Sequence, residues 1–153
     1  MGAPKLTVRI EGLEDVVNEL MRRGQDVSRA LESICQAGAE VIRREAASRA
    51  PGSLGEDLQT ETTKRTVTRV EVRMGPLKKR GYIHRFVEFG TEAHEIPKKK
   101  RRKRKVLVIG GNFFSRVTHP GARKQPFMRP AYFAKRGAAE EEVRVKVGGA
   151  LRV

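Results

Sequence analysis

The stretch that most restricts the fold is Lys98-Lys99-Lys100-Arg101-Arg102-Lys103-Arg104-Lys105, eight cations with no neutral or acidic residue between them. Charges this dense repel one another and are costly to desolvate, so the run has to lie in solvent or face a polyanion. It can be core in no fold. On its N-terminal side stands Tyr82-Ile83-His84-Arg85-Phe86-Val87-Glu88-Phe89-Gly90-Thr91. On its C-terminal side stand His119-Pro120-Gly121 and Gln125-Pro126-Phe127-Met128-Arg129-Pro130. Phe86, Phe89, Phe113 and Phe127 flank the run, with Phe114 close by, so it reads as a basic projection over residues 95–108 held by an apolar clasp.

A chain of 153 residues fits one domain, here residues 1–153, able to bury roughly 68–70% of its unfolded surface. At 38% apolar and 33% charged it is polar, yet too apolar for wholesale disorder. The formal net charge is +15, of which about +7 remains once the basic run is set aside. That balance draws a protein to nucleic acid or to an acidic protein surface, without distinguishing them. Cys35 is the only cysteine, so no internal disulfide can form, and its place on an apolar helical stripe marks a small buried hydrophobe. This fits a reducing cytosol or a particle assembled there. No secretory h-region is visible, no stretch approaches the ~20 apolar residues of a membrane span, and Leu6 breaks a myristoylation pattern.

Leu6-Thr7-Val8-Arg9-Ile10 alternates as a half-buried strand does, and Gly12 ends it. Leu13, Val16, Val17, Leu20 and Met21 recur at helical spacing up to Gly24. Asp26 caps a second, longer helix over residues 26–50, with Val27, Leu31, Ile34, Gly38, Val41 and Ile42 on one face and Pro51-Gly52 as its stop. Thr-rich residues 60–68 and the alternating Val70-Glu71-Val72-Arg73-Met74 predict two antiparallel strands ending at Gly75-Pro76. A basic loop over 77–81 follows. Residues 84–89 suit a short helix closed by Gly90, with Phe86, Val87 and Phe89 turned inward. His94-Glu95-Ile96 is strand-like, and Gly110-Gly111-Asn112 turns the chain into a returning strand from Phe113 to Val117. Pro130 starts a last helix. Val143, Val145 and Val147 alternate, so its end reads equally as strand, with Gly148-Gly149 releasing the tail. The fold class expected is α+β: a long helix packed on an antiparallel sheet, an extended basic hairpin or loop, and a C-terminal helix.

Nothing in the sequence has an enzyme's signature: there is no phosphate-cradling loop, no nucleophile elbow and no paired metal ligands. The spacings of His84, His94 and His119 match no compact ligand set, so no metal and no cofactor is expected. His84 reads as a helix-surface residue and His119 as a turn residue before Pro120. Glu88, set between Val87 and Phe89, lacks a partner carboxylate or nucleophile, so a structural role is expected: pairing with an arginine such as Arg129, or capping a neighbouring chain. Phe127, pinned by Pro126 and Pro130, reads as a core or interface anchor. A small basic nuclease using His84, Glu88 and His119 is the enzymatic rival. A free-standing, sequence-independent nucleic-acid-binding module is the other, although the run contains no aromatic residue for stacking.

Phe86-Val87-Glu88-Phe89-Gly90-Thr91, the basic segment, His119-Pro120-Gly121 and Gln125-Pro126-Phe127-Met128-Arg129-Pro130-Ala131 together resemble the signature of a family of tailed-phage neck proteins, the tail-completion or head–tail joining proteins of long-tailed phages and prophages. The upstream order of elements and Met74-Gly75-Pro76 are similar too, so the likeness spans nearly the whole chain. The basic run is longer and purer than the family's Lys-rich segment, and Ser53-Leu54-Gly55-Glu56 departs from the Thr-Gly order usual after Pro51. The resemblance implies a structural virion protein assembled in the host cytoplasm, forming a ring of six at the head–tail junction beside head-connector and tail-tube or tail-terminator proteins. Double-stranded DNA would pass through without sequence reading. In such a ring the basic run would supply about 48 positive charges, a strong phosphate attraction. The sequence leaves open whether the run faces DNA, docks on a neighbouring neck protein, or idles as a solvated loop or tether.

Overall fold

In a computed structural model, residues 6–8, 14–23, 26–66, 69–76, 81–97, 107–114 and 116–152 are described. The architecture is built on helix α2 (Val27–Arg49), 23 residues and roughly 35 Å long. Asp26 accepts the backbone N–H of Arg29 at 3.2 Å and caps the helix as its sequence position predicts. Val27, Leu31, Ile34, Cys35, Gly38, Ala39, Ile42 and Ala46 are buried along it at helical spacing. Burial raises the pKa of the Cys35 thiol, which suits the inert apolar role expected of it.

One side of α2 packs on a three-stranded antiparallel sheet of β1 (Leu6–Val8), β2 (Leu58–Arg65) and β3 (Val70–Pro76), ordered β1-β3-β2. Val72 and Met74 of the central strand point into the core, two residues apart as strand geometry requires. A register shift between Thr62 and Lys64 interrupts the β2–β3 ladder. Polar ties fix the helix to the sheet edge: Arg65 to Glu32 at 2.8 Å, and Gln36 to the Thr62 hydroxyl at 3.1 Å.

The other side of α2 receives α4 (Met128–Arg152). Met128 and Ala131 share a cluster with Ile42 and Ala46 near the end of α2, whereas Ala150 packs by Val27 and Leu31 near its start. The two helices therefore run antiparallel. They approach so closely that a Cβ on Gly38 would lie 2.7 Å from Val143 Cγ2. Helix α1 (Glu14–Arg22) adds Val17 and Leu20 to the cluster at the start of α2.

The mixed helix-and-sheet class and the long helix on an antiparallel sheet are as the sequence predicts. Three details differ. Residues 143–147 are helical and α4 continues through Gly148-Gly149, because Val143 and Ala150 dock along α2 while Val145 stays exposed, and that packing overrides the local alternation. Met21 is exposed although it shares helical spacing with Val17 and Leu20. The single returning strand is two, β6 (Asn112–Phe114) and β7 (Arg116–His119), since β6 pairs with β5 (Leu107–Ile109) and β7 with β4 (His94–Pro97). Gly12, Leu13, Gly24, residues 77–80 of the expected basic loop and the run Lys98 to Lys105 lie outside the described residues, and Gly81, expected to end that loop, opens a helix.

Candidate functional site

Helix α3 (Gly81–Phe89) and the segment leading into α4 are the two halves of the clasp, and the structure brings them together. The buried carboxylate of Glu88 accepts the backbone N–H groups of Phe127 (2.8 Å), Met128 (3.0 Å) and Arg129 (3.0 Å). A helix start leaves its first N–H groups without intrahelical partners. In α4 the fourth of these would belong to Pro130, which has none, and the Ala131 N–H already bonds back to the Phe127 carbonyl at 3.2 Å. Glu88 thus satisfies every orphan donor at this helix end, and its negative charge sits at the positive end of the helix dipole. The expected pairing of Glu88 with the Arg129 side chain is not formed. Glu88 binds the backbone of Arg129, whose guanidinium instead lies 5.9 Å over the Phe133 ring.

Next to this cap, Thr91 and Ala122 exchange backbone hydrogen bonds at 3.0 and 3.1 Å, and the Thr91 hydroxyl also accepts the Ala122 N–H at 2.8 Å. Gly90 (φ +72) and Gly121 (φ +86) flank the bridge in backbone conformations that side chains rarely adopt. A Cβ at Gly90 would lie 2.7 Å from the Ala122 carbonyl oxygen, and one at Gly121 would overlap that of Thr91. The Gln125 N–H binds the Val87 carbonyl at 2.7 Å, completing the junction. Phe127 is fully buried in the cluster it shares with Ile42, Ala46 and Ala131.

From this junction rises the β4–β7 ribbon, paired from His94↔His119 to Pro97↔Arg116. The two imidazoles stack 5.2 Å apart, and His119 Nδ1 accepts the Gly121 N–H at 3.1 Å. His119 is therefore the last residue of a strand, with the turn beginning at Pro120. Beyond Pro97 the chain enters the basic run directly.

Two expectations for α3 are corrected. Phe86 and Phe89 are exposed, and the buried residues are His84 and Glu88, one helical turn apart on the opposite face. Val87 is half-buried against the core, as expected. Polar residues occupy the inner face because Glu88 must reach the α4 start, which carries His84 inward with it. His84 is fully buried; its Nε2 lies 3.6 Å from Asp57 Oδ2, its ring lies 5.9 Å from that of Phe127, and neither ring nitrogen has a hydrogen bond. As an acid–base set, His84, Glu88 and His119 are not assembled: two are buried, Glu88 is occupied by backbone N–H groups, and His119 sits exposed at the ribbon base. Among the described residues no three His, Cys, Asp or Glu side chains converge as metal ligands, and no described helix is long and apolar enough to cross a membrane. The burial of His84 was missed from sequence, although its four-residue spacing from Glu88 was a signal for it.

A family model matches residues 14–90, half of the chain: HK97-gp10_like, described as "Bacteriophage HK97-gp10, putative tail-component". The chain belongs to this family. The match runs from the start of α1 through α3 and ends on Gly90, so it includes Glu88 and stops before the ribbon. Membership gives this HK97-gp10-like protein a structural role in a phage tail and a place in the virion, alongside other phage proteins, in agreement with the tailed-phage resemblance of its motifs. No curated protein and no solved structure matches the chain.

Proposed function

We propose that this HK97-gp10-like protein is a tail-completion or head–tail joining subunit, acting over its whole length as one domain and assembling into a ring, six-fold in our reading, at the phage neck. Its role is mechanical and electrostatic, without catalysis. The observation that carries the reading is the Glu88 cap. It locks the two halves of the neck-protein signature into one rigid base, and the ribbon on that base leads straight into eight consecutive cations. Lys98, Lys99, Lys100, Arg101, Arg102, Lys103, Arg104 and Lys105 then face the DNA passage, binding phosphate without reading bases. Docking of the same run on an adjacent connector or tail-tube protein is the variant of this reading that the experiment separates.

Electron microscopy of the protein mixed with purified tail tubes tests assembly, with a ring capping the tube end as the expected image and bare tube ends as the contrary one. DNA retention against salt, compared between wild type and a chain with 98–105 changed to glutamine, tests the run. Loss of retention with a shallower salt dependence supports DNA. Equal retention removes DNA and leaves the protein partner.

A further inference from the structure

The outer face of α3 carries Tyr82, Phe86 and Phe89 at positions i, i+4 and i+7, exposed by 59%, 47% and 62%. The opposite face is fixed by the buried Glu88 and His84 and by the Gln125–Val87 backbone bond, so this stripe cannot roll inward. Three large aromatic side chains held rigidly in solvent on one helix are an unusual outlay of apolar surface. Phe133, also exposed, differs: the Arg129 guanidinium lies over its ring.

The charge beside the stripe decides its occupant. The 2.7 Å Gln125–Val87 bond and the close approach of Gly90 to Lys124 lay residues 122–125 along the C-terminal turn of α3. Arg123 and Lys124 are exposed there and make no ion pair among the described residues. A second copy docked through the same face would bring its own Arg123 and Lys124 against these two. A single-stranded nucleic acid would want open ring faces along a cationic groove. Here Tyr82 and Phe86 pack edge-to-face at 70° on a convex helix, and Arg123 and Lys124 belong to the segment lying along that helix's C-terminal turn.

From this we infer that the outer face of α3 is a docking surface for an acidic polypeptide segment, whose apolar side chains cover Tyr82, Phe86 and Phe89 and whose carboxylates meet Arg123 and Lys124. The surface belongs to the single subunit and does not depend on ring formation. Rigid aromatic anchors with a polar rim are what peptide-binding faces use, because little entropy is lost on docking.

The test is selection from a random dodecapeptide display library on the full chain with residues 98–105 changed to glutamine, so that the basic run does not capture acidic peptides by charge alone. Enriched peptides are then measured by fluorescence anisotropy on the wild-type chain. The expected consensus combines at least two acidic residues with apolar ones. Y82S/F86S/F89S should weaken binding at least about tenfold, in line with loss of interface anchors, and R123E/K124E about threefold or more, as for rim charges. Circular dichroism melts of both variants should match wild type, since all five side chains are exposed. A consensus without acidic residues, or affinities unchanged in both variants, overturns the inference. So does dT12 binding that the aromatic triple variant abolishes, or self-association in sedimentation that it removes. Failure of rings to form on tail tubes leaves these outcomes unaffected.

Discussion

Glu88 and Met128, forty residues apart in the chain, are joined by a 3.0 Å hydrogen bond from the Met128 backbone N–H to the Glu88 carboxylate. With the flanking bonds from Phe127 and Arg129, this one side chain connects the end of α3 to the start of the C-terminal helix. Glu88→Ala strands three N–H donors at a buried helix end and should cost about 3 kcal/mol or more. Glu88→Gln should be intermediate, because it keeps an acceptor but loses the charge and turns an amide NH2 toward donors. Urea midpoints of the three proteins check the order.

Gly121→Ala places a methyl group on the Thr91 carbonyl oxygen in a left-handed backbone conformation. The expected loss is about 2 kcal/mol or more. Its effect should be concentrated at the ribbon base, so hydrogen exchange at the Thr91 and Ala122 amides should accelerate well before that of α2. Uniform acceleration across the chain would contradict this local role.

Gly38→Ala tests the α2–α4 crossing. Alanine favours the helix by about 1 kcal/mol over glycine, yet here its methyl meets Val143 Cγ2, a stiff β-branched atom. Overpacking of about 1–3 kcal/mol should win, giving a net loss. In a double-mutant cycle, Val143→Ala should restore most of that loss, and a coupling near zero would place the two residues apart.

Acid should destabilise the chain through its carboxylates. Glu19 is held below the usual carboxylate range by its hydrogen bond to Arg23, and Glu40 by that to Arg43. Glu45 is lowered by Arg49, and Glu32 first by the Thr62 hydroxyl and then by Arg65. Each folded value lies below the unfolded one, so the stabilisation is complete above the unfolded carboxylate pKa of about 4.3 and is lost as pH falls through the lower folded values. Urea midpoints should therefore fall with pH below about 4, and E32Q/E45Q should flatten that acid limb.

The long helix was legible because its signals are local: Asp26 reaches only to Arg29, and Leu31, Ile34 and Ile42 follow the helical period whatever lies opposite. The β2–β3 pair was legible for the same reason, through its threonines and valines. The inner face of α3 was not. Composition places phenylalanine inside and glutamate outside, and only the start of α4, forty residues on, gives Glu88 a reason to be buried. The end of α4 failed in the same way, since the Val143–Val147 alternation yields to the α2 surface it lies against. The Glu88-Phe89-Gly90-Thr91 and Pro126-to-Pro130 motifs were legible as a pair, while the bonds that join them were not.

Because the Thr91–Ala122 rungs close the foot of the ribbon, the body below is tied together at that point whatever sequence lies between the two strands. Nicking by a protease there would leave two pieces still zipped together. Evolution can swap, lengthen or recharge that excursion as a cassette, retuning what the protein grips without renegotiating how it folds.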